Sequence, residues 1–280
     1  MPQRSLSKPL TPTLYIVGTP IGNLEDVTLR ALRILENVGL IAAEDTRTTR
    51  KLLTRHSIRT PLTSFHDRNS VQKVAVILNT LEREDVALVS DAGMPNISDP
   101  GYDLVVSALA KNVPVVAVPG PSAVTTAVTV SALAGPSFLF LGFLPRRRIA
   151  RLQVLDRVKN QNDRIVIFEA PHRLSASLQD VLSALGNRRV AVCRELTKLH
   201  EEVFRGRVDE AMNHFREPRG EFTLVLEGAG PPNKNGEDAR DLLLAQQSQG
   251  LRAREAVANV VAATGLPRRE VYRLWLELLN

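Results

Sequence analysis

Four loops, each expected to follow a β-strand, hold the residue types best suited to chemistry. They are TPIGN at 19–23, EDTR at 44–47, SDAGMPNISDPG at 90–101 and PGPSA at 119–123. Gly22, Gly93 and Gly120 allow the backbone to approach a ligand closely. In a single loop, Gly and Pro could equally do no more than end a strand. Because ligands of open α/β sheets bind at the carboxyl ends of the strands, four such loops predict one shared pocket.

No standard nucleotide or metal signature accompanies these loops. The patterns G-x-G-x-x-G and G-x-x-x-x-G-K-[ST] are both absent, so neither a dinucleotide fingerprint nor a P-loop is supported. The five histidines stand at 56, 66, 172, 200 and 214. They lack the spacing of metal ligands and Cys193 is the single cysteine, so we expect no metal site.

Short apolar runs alternate with helix-periodic segments from Leu14 onward, which predicts an α/β protein with largely parallel strands. The predicted strands cover 14–18, 39–43, 86–90, 113–118, 138–143, 164–169, 189–194 and 222–227. The predicted helices lie near 29–38, 70–83, 101–111, 122–134, 150–159, 173–185 and 207–215, and another starts near Thr46. Asp26 is placed to cap the first of them. Two series of elements therefore meet near Pro119–Gly120.

The C-terminal part of the chain is expected to be helical. The stretch EGAGPPNKNGED at 227–238 is typical of a linker. Three short helices are predicted after it within 239–250, 251–265 and 266–280, with a tight turn at 264–267. That turn suits a nucleic-acid-binding helix-turn-helix unit. A helical tail that packs on the body or mediates dimerisation fits the pattern equally well.

The composition favours a globular protein with an anionic partner. A chain of 280 residues has room for about two domains, and a net charge of +6 favours a partner such as nucleic acid. We interpret Cys193, which lies in an apolar run, as a buried thiol. Residues 1–12 lack the apolar stretch of a signal peptide, and no later run approaches the roughly 20 apolar residues of a membrane span. A cytoplasmic protein is therefore expected.

Basic side chains form two clusters in the sequence. The first consists of Arg47, Arg50, Lys51 and Arg55, and the second of Arg146, Arg147, Arg148 and Arg151. On a helix that starts near Thr46, the first cluster falls close to one face. Both clusters are candidates for contacts with nucleic-acid phosphates, and a solvated charged face is the alternative.

Eight motifs, in order, carry a resemblance to a known family. They are TPIGNLED, AAEDTR, VSDAGMPNISDPG, VPGPSA, GFLP, FEAPHRL, CRELTK and GEFTLVLEG. The sequence closely resembles the small-subunit ribosomal RNA methyltransferase I family, within the tetrapyrrole-methylase-type superfamily of S-adenosylmethionine-dependent enzymes. Departures are minor: Met94 stands where Thr is more usual, Asn96 where Gly or Leu is expected, and FEAPHRL lacks a tyrosine often found before its glutamate.

The resemblance implies a two-lobed α/β fold of the tetrapyrrole-methylase type with a small C-terminal helical, helix-turn-helix-like module. The implied domains are 12–120, 121–230 and 237–280, the last a candidate for RNA binding. The implied reaction is methyl transfer from S-adenosylmethionine to the 2′-hydroxyl of a cytidine in the decoding region of 16S rRNA, cytidine 1402. Because the superfamily commonly forms homodimers, a homodimer is expected.

The resemblance also implies which residues hold the donor in the cleft between the two α/β domains. They are Pro20, Gly22, Asp91, Gly93, Met94, Ser122 and Ala123. Ser122 and Ala123 begin a predicted helix, whose first N–H groups favour a carboxylate or ribose oxygen. Asp91 could instead only cap its loop.

A ribose hydroxyl is a poor nucleophile, so a nearby base would assist the transfer. Asp45 and His66 are the candidates. Asp45 could equally pair with Arg47 or Arg50 or cap the next helix, and His66 could fix its loop or lie at the surface. Phosphate contacts are expected from Arg47, Arg50, Arg146, Arg147 and Arg148. Residues of the second domain that could close the pocket are Glu169, His172, Arg173 and Glu195.

Two other functions fit the same sequence. The fold could methylate a tetrapyrrole such as a precorrin. A nucleic-acid-binding regulator could use the α/β body to sense a ligand and the last three helices to read a duplex. The basic clusters and the helical module favour an RNA acceptor over a tetrapyrrole.

Overall fold

The computed structural model describes residues 11–66, 70–229, 236–248 and 250–278. Residues 1–10, on which the expectation about a signal peptide depends, lie outside these ranges. So do residues 230–235, the middle of the predicted linker. The described residues form two five-stranded sheets with flanking helices, followed by three C-terminal helices.

The first sheet, as described, is parallel throughout and contains four of the predicted strands. In the order β3-β2-β4-β1-β5, it consists of β1 (Leu14–Val17), β2 (Leu40–Ala43), β3 (Leu62–Ser64), β4 (Val86–Val89) and β5 (Val115–Val118). Strands β1, β2 and β4 read LYIV, LIAA and VALV, as expected where helices cover both faces. The edge strand β3 has no counterpart in the prediction, because LTS is too short and polar to show a period.

Four helices accompany this sheet, all at predicted positions. They are α1 (Leu29–Asn37), α2 (Thr46–Arg55), α3 (Ser70–Thr80) and α4 (Tyr102–Ala110). The N-cap of α1 is Thr28, whose side chain accepts the Ala31 N–H at 3.1 Å, so the assignment of Asp26 to this cap is wrong. Asp26 instead ends a separate 3₁₀ turn, which Asn23 caps, and the α-helix begins only after that turn.

The second sheet is mixed, so the prediction of largely parallel strands is wrong for this half of the chain. In the order β6-β7-β10-β8-β9, it consists of β6 (Phe138–Phe143), β7 (Arg164–Glu169), β8 (Arg189–Arg194), β9 (Glu202–Arg207) and β10 (Phe222–Leu226). In the described sheet β6 pairs with β7 in parallel, and the remaining pairs are antiparallel. Strand β9, with the polar sequence EVFRGR, was not predicted; antiparallel pairing lets it follow β8 without a helical crossover.

The helices of the second half are α5 (Ala123–Val130), α6 (Arg148–Arg157), α7 (Pro171–Leu185) and α8 (Val208–His214). Helix α5 follows the last strand of the first sheet but packs on the second. Val124 and Ala127 of α5 are buried with Val166, Ala191 and Val225 of the second sheet. The chain therefore passes from one lobe to the other between β5 and α5.

The three predicted C-terminal helices are confirmed as α9 (Gly236–Ser248), α10 (Ala253–Thr264) and α11 (Arg268–Glu277). They pack around a small core that includes Leu243, Val257, Val271 and Trp275. Gly265 ends α10 in the left-handed conformation, with φ of 67°, and forms the predicted tight turn. Among the described residues, none of the helices has the length and apolarity to span a bilayer.

A buried ion pair joins α6 to α7. Asp180 of α7 is 1% exposed, and Arg151 of α6, which is 6% exposed, donates from Nε to its Oδ2 at 2.7 Å. Arg148 donates to the other oxygen of Asp180 at 2.9 Å. Breaking such a pair is strongly destabilising, because it leaves a charge buried without its partner.

Replacing Asp180 with Ala is therefore expected to lower the free energy of unfolding by roughly 3–5 kcal/mol, measured by urea denaturation. The control is Asp156→Ala, which removes the exposed partner of Lys159 and should change stability by less than about 1 kcal/mol. Equal effects of the two substitutions would contradict the structural role of Asp180.

Candidate active site

The loops that follow β1 and β5 are in direct backbone contact. A side chain at Gly120 would place its Cβ 2.9 Å from the backbone of Gly18, closer than real Cβ atoms come. Beside this contact, the Thr19 N–H donates to Gly93 O at 2.9 Å and the Gly93 N–H donates to Thr19 O at 3.0 Å. The loops after β1, β4 and β5 therefore meet at the carboxyl edge of the first sheet, as predicted.

Side-chain hydrogen bonds bring in the loop after β2. Asp91 Oδ1 accepts the Asp45 N–H at 3.0 Å, and the Asp91 N–H donates to Glu44 Oε2 at 3.2 Å. Partial desolvation raises the pKa of Asp91 above its usual value, although the residue keeps an exposed surface, and the hydrogen bond from Asp45 offsets part of this rise. Carboxylates from two loops are thus held side by side.

A cavity of about 380 Å³ lies between these loops and the second lobe. From the first lobe and the start of α5 it is lined by Ile21, Asp91, Gly93, Met94, Ser122 and Ala123. From the second lobe it is lined by Phe143, Phe168, Glu169, Cys193, Glu221 and Phe222. Apolar and aromatic walls with a few carboxylates are typical of a small-molecule site.

Five of the seven residues predicted to hold the donor line this cavity: Asp91, Gly93, Met94, Ser122 and Ala123. Pro20 and Gly22 are not among the residues that line the cavity, whereas Ile21, which lies between them in the chain, is. Gly22 packs instead against Leu196–Lys198 of the second lobe, where a Cβ would meet Thr197 Oγ1 at 2.8 Å. Asn23, the next residue, donates its N–H to the same hydroxyl at 3.0 Å. Gly22 therefore permits the contact between the lobes.

The side chains of the two residues that depart from the family pattern each lie against a glycine. Met94 packs on the core of the first lobe, and its sulfur lies against Gly18. Asn96 adopts a left-handed conformation with φ of 70°, which asparagine tolerates better than most residues, and its side chain lies against Gly101.

Asp45 is engaged by Arg47. Its carboxylate accepts the Arg47 backbone N–H at 2.8 Å as the N-cap of α2, and Arg47 Nη2 donates to it at 2.6 Å. Hydrogen bonds from the Arg47 side chain and backbone lower the pKa of Asp45 to about 2. This is the capping and pairing arrangement that the sequence left open, and it makes the carboxylate a weak base. His66 lies half-buried just beyond β3 and is not among the residues that line the cavity.

The two basic clusters differ in structure. On α2, Arg47, Arg50 and Lys51 are exposed and line a shallow surface groove. In the second cluster Arg146, Arg147 and Arg148 are exposed, although Arg148 also pairs with Asp180. Arg151 is buried in the ion pair with Asp180, so its assignment to a phosphate-binding cluster is wrong.

The aromatic wall of the cavity is the part that sequence reasoning missed. Phe143, Phe168 and Phe222 come from three strands that are distant in the chain. The motifs GFLP, FEAPHRL and GEFTLVLEG contain these three residues, but the spacing of the motifs does not indicate that the rings share one wall. Of the four second-domain candidates, Glu169 lines the cavity, whereas Glu195 pairs with Lys198 at 2.9 Å.

Cys193 forms part of the cavity floor. It is 1% exposed, which confirms the prediction of a buried thiol, and burial raises its pKa to about 12. The residue is therefore an uncharged thiol at neutral pH. In the described ranges, no group of three or more His, Cys, Asp or Glu side chains is arranged to hold a metal ion.

Comparison with known proteins places this arrangement in a family. The family model described as Tetrapyrrole (Corrin/Porphyrin) Methylases matches residues 13–212. The chain is 53% identical over 218 residues to a Ribosomal RNA small subunit methyltransferase I from Thermotoga maritima, covering 77% of this chain and 98% of the other. It is 45% identical over 272 residues to the protein of that name from Halalkalibacterium halodurans, covering 94% of each.

A solved structure supports the fold. The Uroporphyrin-III C-methyl transferase from Thermus thermophilus complexed with S-adenyl homocysteine superposes with a TM-score of 0.57 at 18% identity, covering 77% of this chain and 97% of that one. The expected two-lobed fold of the tetrapyrrole-methylase type is thereby confirmed. On the strength of its sequence relatives, this chain belongs to the ribosomal RNA small subunit methyltransferase I family, within the tetrapyrrole methylases.

Proposed function

We propose that this protein transfers a methyl group from S-adenosylmethionine to the ribose 2′-hydroxyl of a cytidine in 16S rRNA, cytidine 1402 by family resemblance. The main observation that supports this proposal is the cavity between the lobes. The relatives of the chain that contains it are named ribosomal RNA small subunit methyltransferases. In this proposal 12–120 and 121–230 are the two methylase domains, and 237–280 is an RNA-binding module.

The residues at the first-lobe end of the cavity fit the methyl donor. A volume of about 380 Å³ lies within the range of small-molecule sites. Ser122 and Ala123 open α5, where N–H groups without helical partners suit a carboxylate or a ribose oxygen. Asp91 offers a carboxylate to a hydroxyl or ammonium group, and the backbone of Gly93 and Met94 completes this end. When bound, S-adenosylmethionine supplies a methyl group activated by its sulfonium.

Alignment is the main task of the protein in this reaction. Methyl transfer of this kind is an in-line displacement, and holding two reactants in line can supply much of the acceleration. Asp45 then serves to hold Arg47 and the start of α2, because its lowered pKa of about 2 makes it a poor proton acceptor. Asp91 lines the cavity, but its carboxylate is assigned here to the donor. His66 is the remaining candidate.

Exposed cations beside the cavity suit an RNA backbone. The groove on α2 carries Arg47, Arg50 and Lys51, and α2 follows directly from the loop that supports Asp91. Arg146, Arg147 and Arg148 stand at the end of the strand that carries Phe143. Because phosphate contacts dominate the affinity of proteins for nucleic acids, two cationic surfaces on either side of the cavity favour RNA over a tetrapyrrole.

The C-terminal module offers a third cationic surface. A groove between α10 and α11 is lined by Arg254, Arg268, Arg269, Val257 and Tyr272. Arginine guanidinium groups bind phosphates, and an exposed tyrosine can stack on an unpaired base. This arrangement supports RNA binding by 237–280 rather than a role as a packing tail.

We also propose that the protein is a homodimer. Tyr102, Val106 and Leu109 are exposed on α4, and their spacing places them on one helix face. A continuous exposed apolar stripe marks an interaction surface in a soluble protein. A second copy would bury the same stripe on both subunits, as in a two-fold symmetric interface.

The proposed reaction predicts that purified protein with radiolabelled S-adenosylmethionine will label 16S rRNA in small subunits that lack the modification. Mass spectrometry should locate the label on a ribose of the decoding region. Label on a base, or transfer to a precorrin and not to RNA, would refute the proposal.

Replacing Asp91 with Ala is expected to weaken S-adenosylmethionine binding roughly tenfold or more, since a hydrogen bond to a charged group is removed. Isothermal titration calorimetry measures the affinity directly. Asp156→Ala, which removes an exposed carboxylate on α6, is the control and should leave the affinity unchanged. Unaltered binding by the Asp91 variant would remove it from the donor site.

The double substitution Arg50→Ala and Lys51→Ala is expected to weaken RNA binding and to reduce the slope of log K against log salt by about one for each phosphate that is no longer bound. Filter binding at several salt concentrations gives this slope. The control is Arg83→Ala, which removes one exposed charge just before β4, at the amino ends of the strands and so away from the carboxyl-end loops. If the α2 double variant and the Arg83→Ala variant lose RNA affinity equally, α2 is excluded as a specific phosphate site.

A further inference from the structure

Strand β6 contains a bulge that turns Phe143 toward the cavity. In the pairing with β7, Phe140 stands opposite Val166 and Phe143 opposite Phe168, so three steps on β6 match two on β7. The extra residue falls where Gly142 adopts φ of 65°, a conformation that favours glycine. As a result, Phe140 and Phe143 both contact the Phe168 ring, at centroid distances of 4.9 and 5.6 Å. Strict alternation would put residues three apart on opposite faces.

The bulge leaves Phe143 as an accessible aromatic ring at the cavity. Its side chain is 54% exposed, lines the cavity and has Phe168 behind it. The first lobe approaches strand β6 next to this ring. A Cβ at Gly142 would lie 3.0 Å from Ser98 Oγ of the first lobe, and Ser98 also lines the cavity. Since bulges next to active sites commonly re-aim a side chain, the ring is a candidate contact for a ligand.

The segment that follows Phe143 is held by two arginines. Arg173 Nη2 donates to Leu144 O at 2.6 Å, and Arg151 Nη1 donates to Arg146 O at 3.3 Å. Arg151 is anchored by the buried α7 carboxylate described above. Arg173 Nε lies 3.3 Å from Glu169, an ion pair whose N–H is not aligned for a hydrogen bond. Hydrogen bonds from both guanidinium groups to backbone carbonyls fix the segment, and with it the ring.

Exposed cations follow the ring closely in the chain. Arg146 and Arg147 follow Phe143 within the same fixed segment, and both are exposed. An aromatic face next to guanidinium groups is the combination with which proteins bind single-stranded nucleic acid, the ring taking a base and the cations the phosphates.

We propose that Phe143, backed by Phe168, is the stacking surface for the pyrimidine base of the acceptor nucleotide, with Arg146 and Arg147 on the adjoining phosphates. This inference rests on the proposed function and specifies how its site holds the substrate. A ribose can enter a cavity between two lobes only if its nucleotide leaves the neighbouring stack, and the base must then find a new contact. The ring supplies that contact.

The adenine of the methyl donor is the other ring that Phe143 could contact. The helix N-terminus and the Asp91 loop, which suit the donor, belong to the first-lobe end of the cavity. Phe143 belongs to the second lobe, is half-exposed and continues into exposed arginines, as expected for a surface that meets a macromolecule. These features favour the acceptor base.

The test compares Phe143→Ala, Phe143→Leu and Phe143→Tyr in methyl transfer to small subunits that lack the modification. We expect kcat/KM to fall roughly tenfold to a hundredfold in the Ala and Leu variants, because the base can no longer stack on an aromatic face, and the Tyr variant to retain activity. Donor affinity should stay within about twofold in all three. The control is Phe138→Ala, an exposed phenylalanine of the same strand that does not line the cavity.

A second acceptor separates stacking from other roles. Subunits are reconstituted with 16S rRNA that carries an abasic ribose in place of the acceptor cytidine, and wild type is compared with Phe143→Ala. If Phe143 contacts the base, both proteins will modify the abasic acceptor at the same low rate. A lower rate for Phe143→Ala than for wild type on the abasic acceptor would overturn the inference. So would full activity of Phe143→Leu on natural subunits, or a loss of donor affinity as large as the loss of activity. Failure of the wild type to label natural subunits would refute the proposed function instead.

Discussion

The cavity depends on the backbone contact between Gly18 and Gly120. Strands β1 and β5 lie side by side, and their loops can approach this closely only because neither glycine carries a Cβ. This close approach lets Thr19 exchange two hydrogen bonds with Gly93 and brings the N-terminus of α5 to the same cavity as the Asp91 loop. A side chain at either glycine would separate the loops and move α5, which connects the two lobes.

The two lobes contribute different chemistry because their sheets are built differently. The parallel sheet ends all its strands at one edge, which gathers loop backbone and carboxylates such as Asp91. The mixed sheet presents strand side chains to the cavity instead, including Phe168 and Phe222. A bulge at Gly142 adds Phe143 to this wall. A polar end and an aromatic end thus face one another across the cleft.

The arginines have two different roles, one in stabilising the fold and one at the surface. Arg151 and Arg173 are largely buried, pair with carboxylates of the second lobe and hold carbonyls of the segment after β6. Arg50, Arg146 and Arg147 remain exposed and can meet an anionic partner. A net charge of +6 does not by itself distinguish these roles, since the same residue type serves both. The distinction follows from which arginines face a buried carboxylate.

Most of the helices and strands, and the donor end of the cavity, could be predicted from the sequence. Hydrophobic periodicity, turn residues and loop motifs are local properties of the chain. The sequence alone determined the parallel first sheet, the three C-terminal helices and the loops that meet at Asp91. The short strand β3 and the polar strand β9 had no such local pattern. Tertiary structure alone decided that Asp45 pairs with Arg47 and that Phe143 joins Phe168, since such contacts depend on packing and on a bulge that no periodic pattern records.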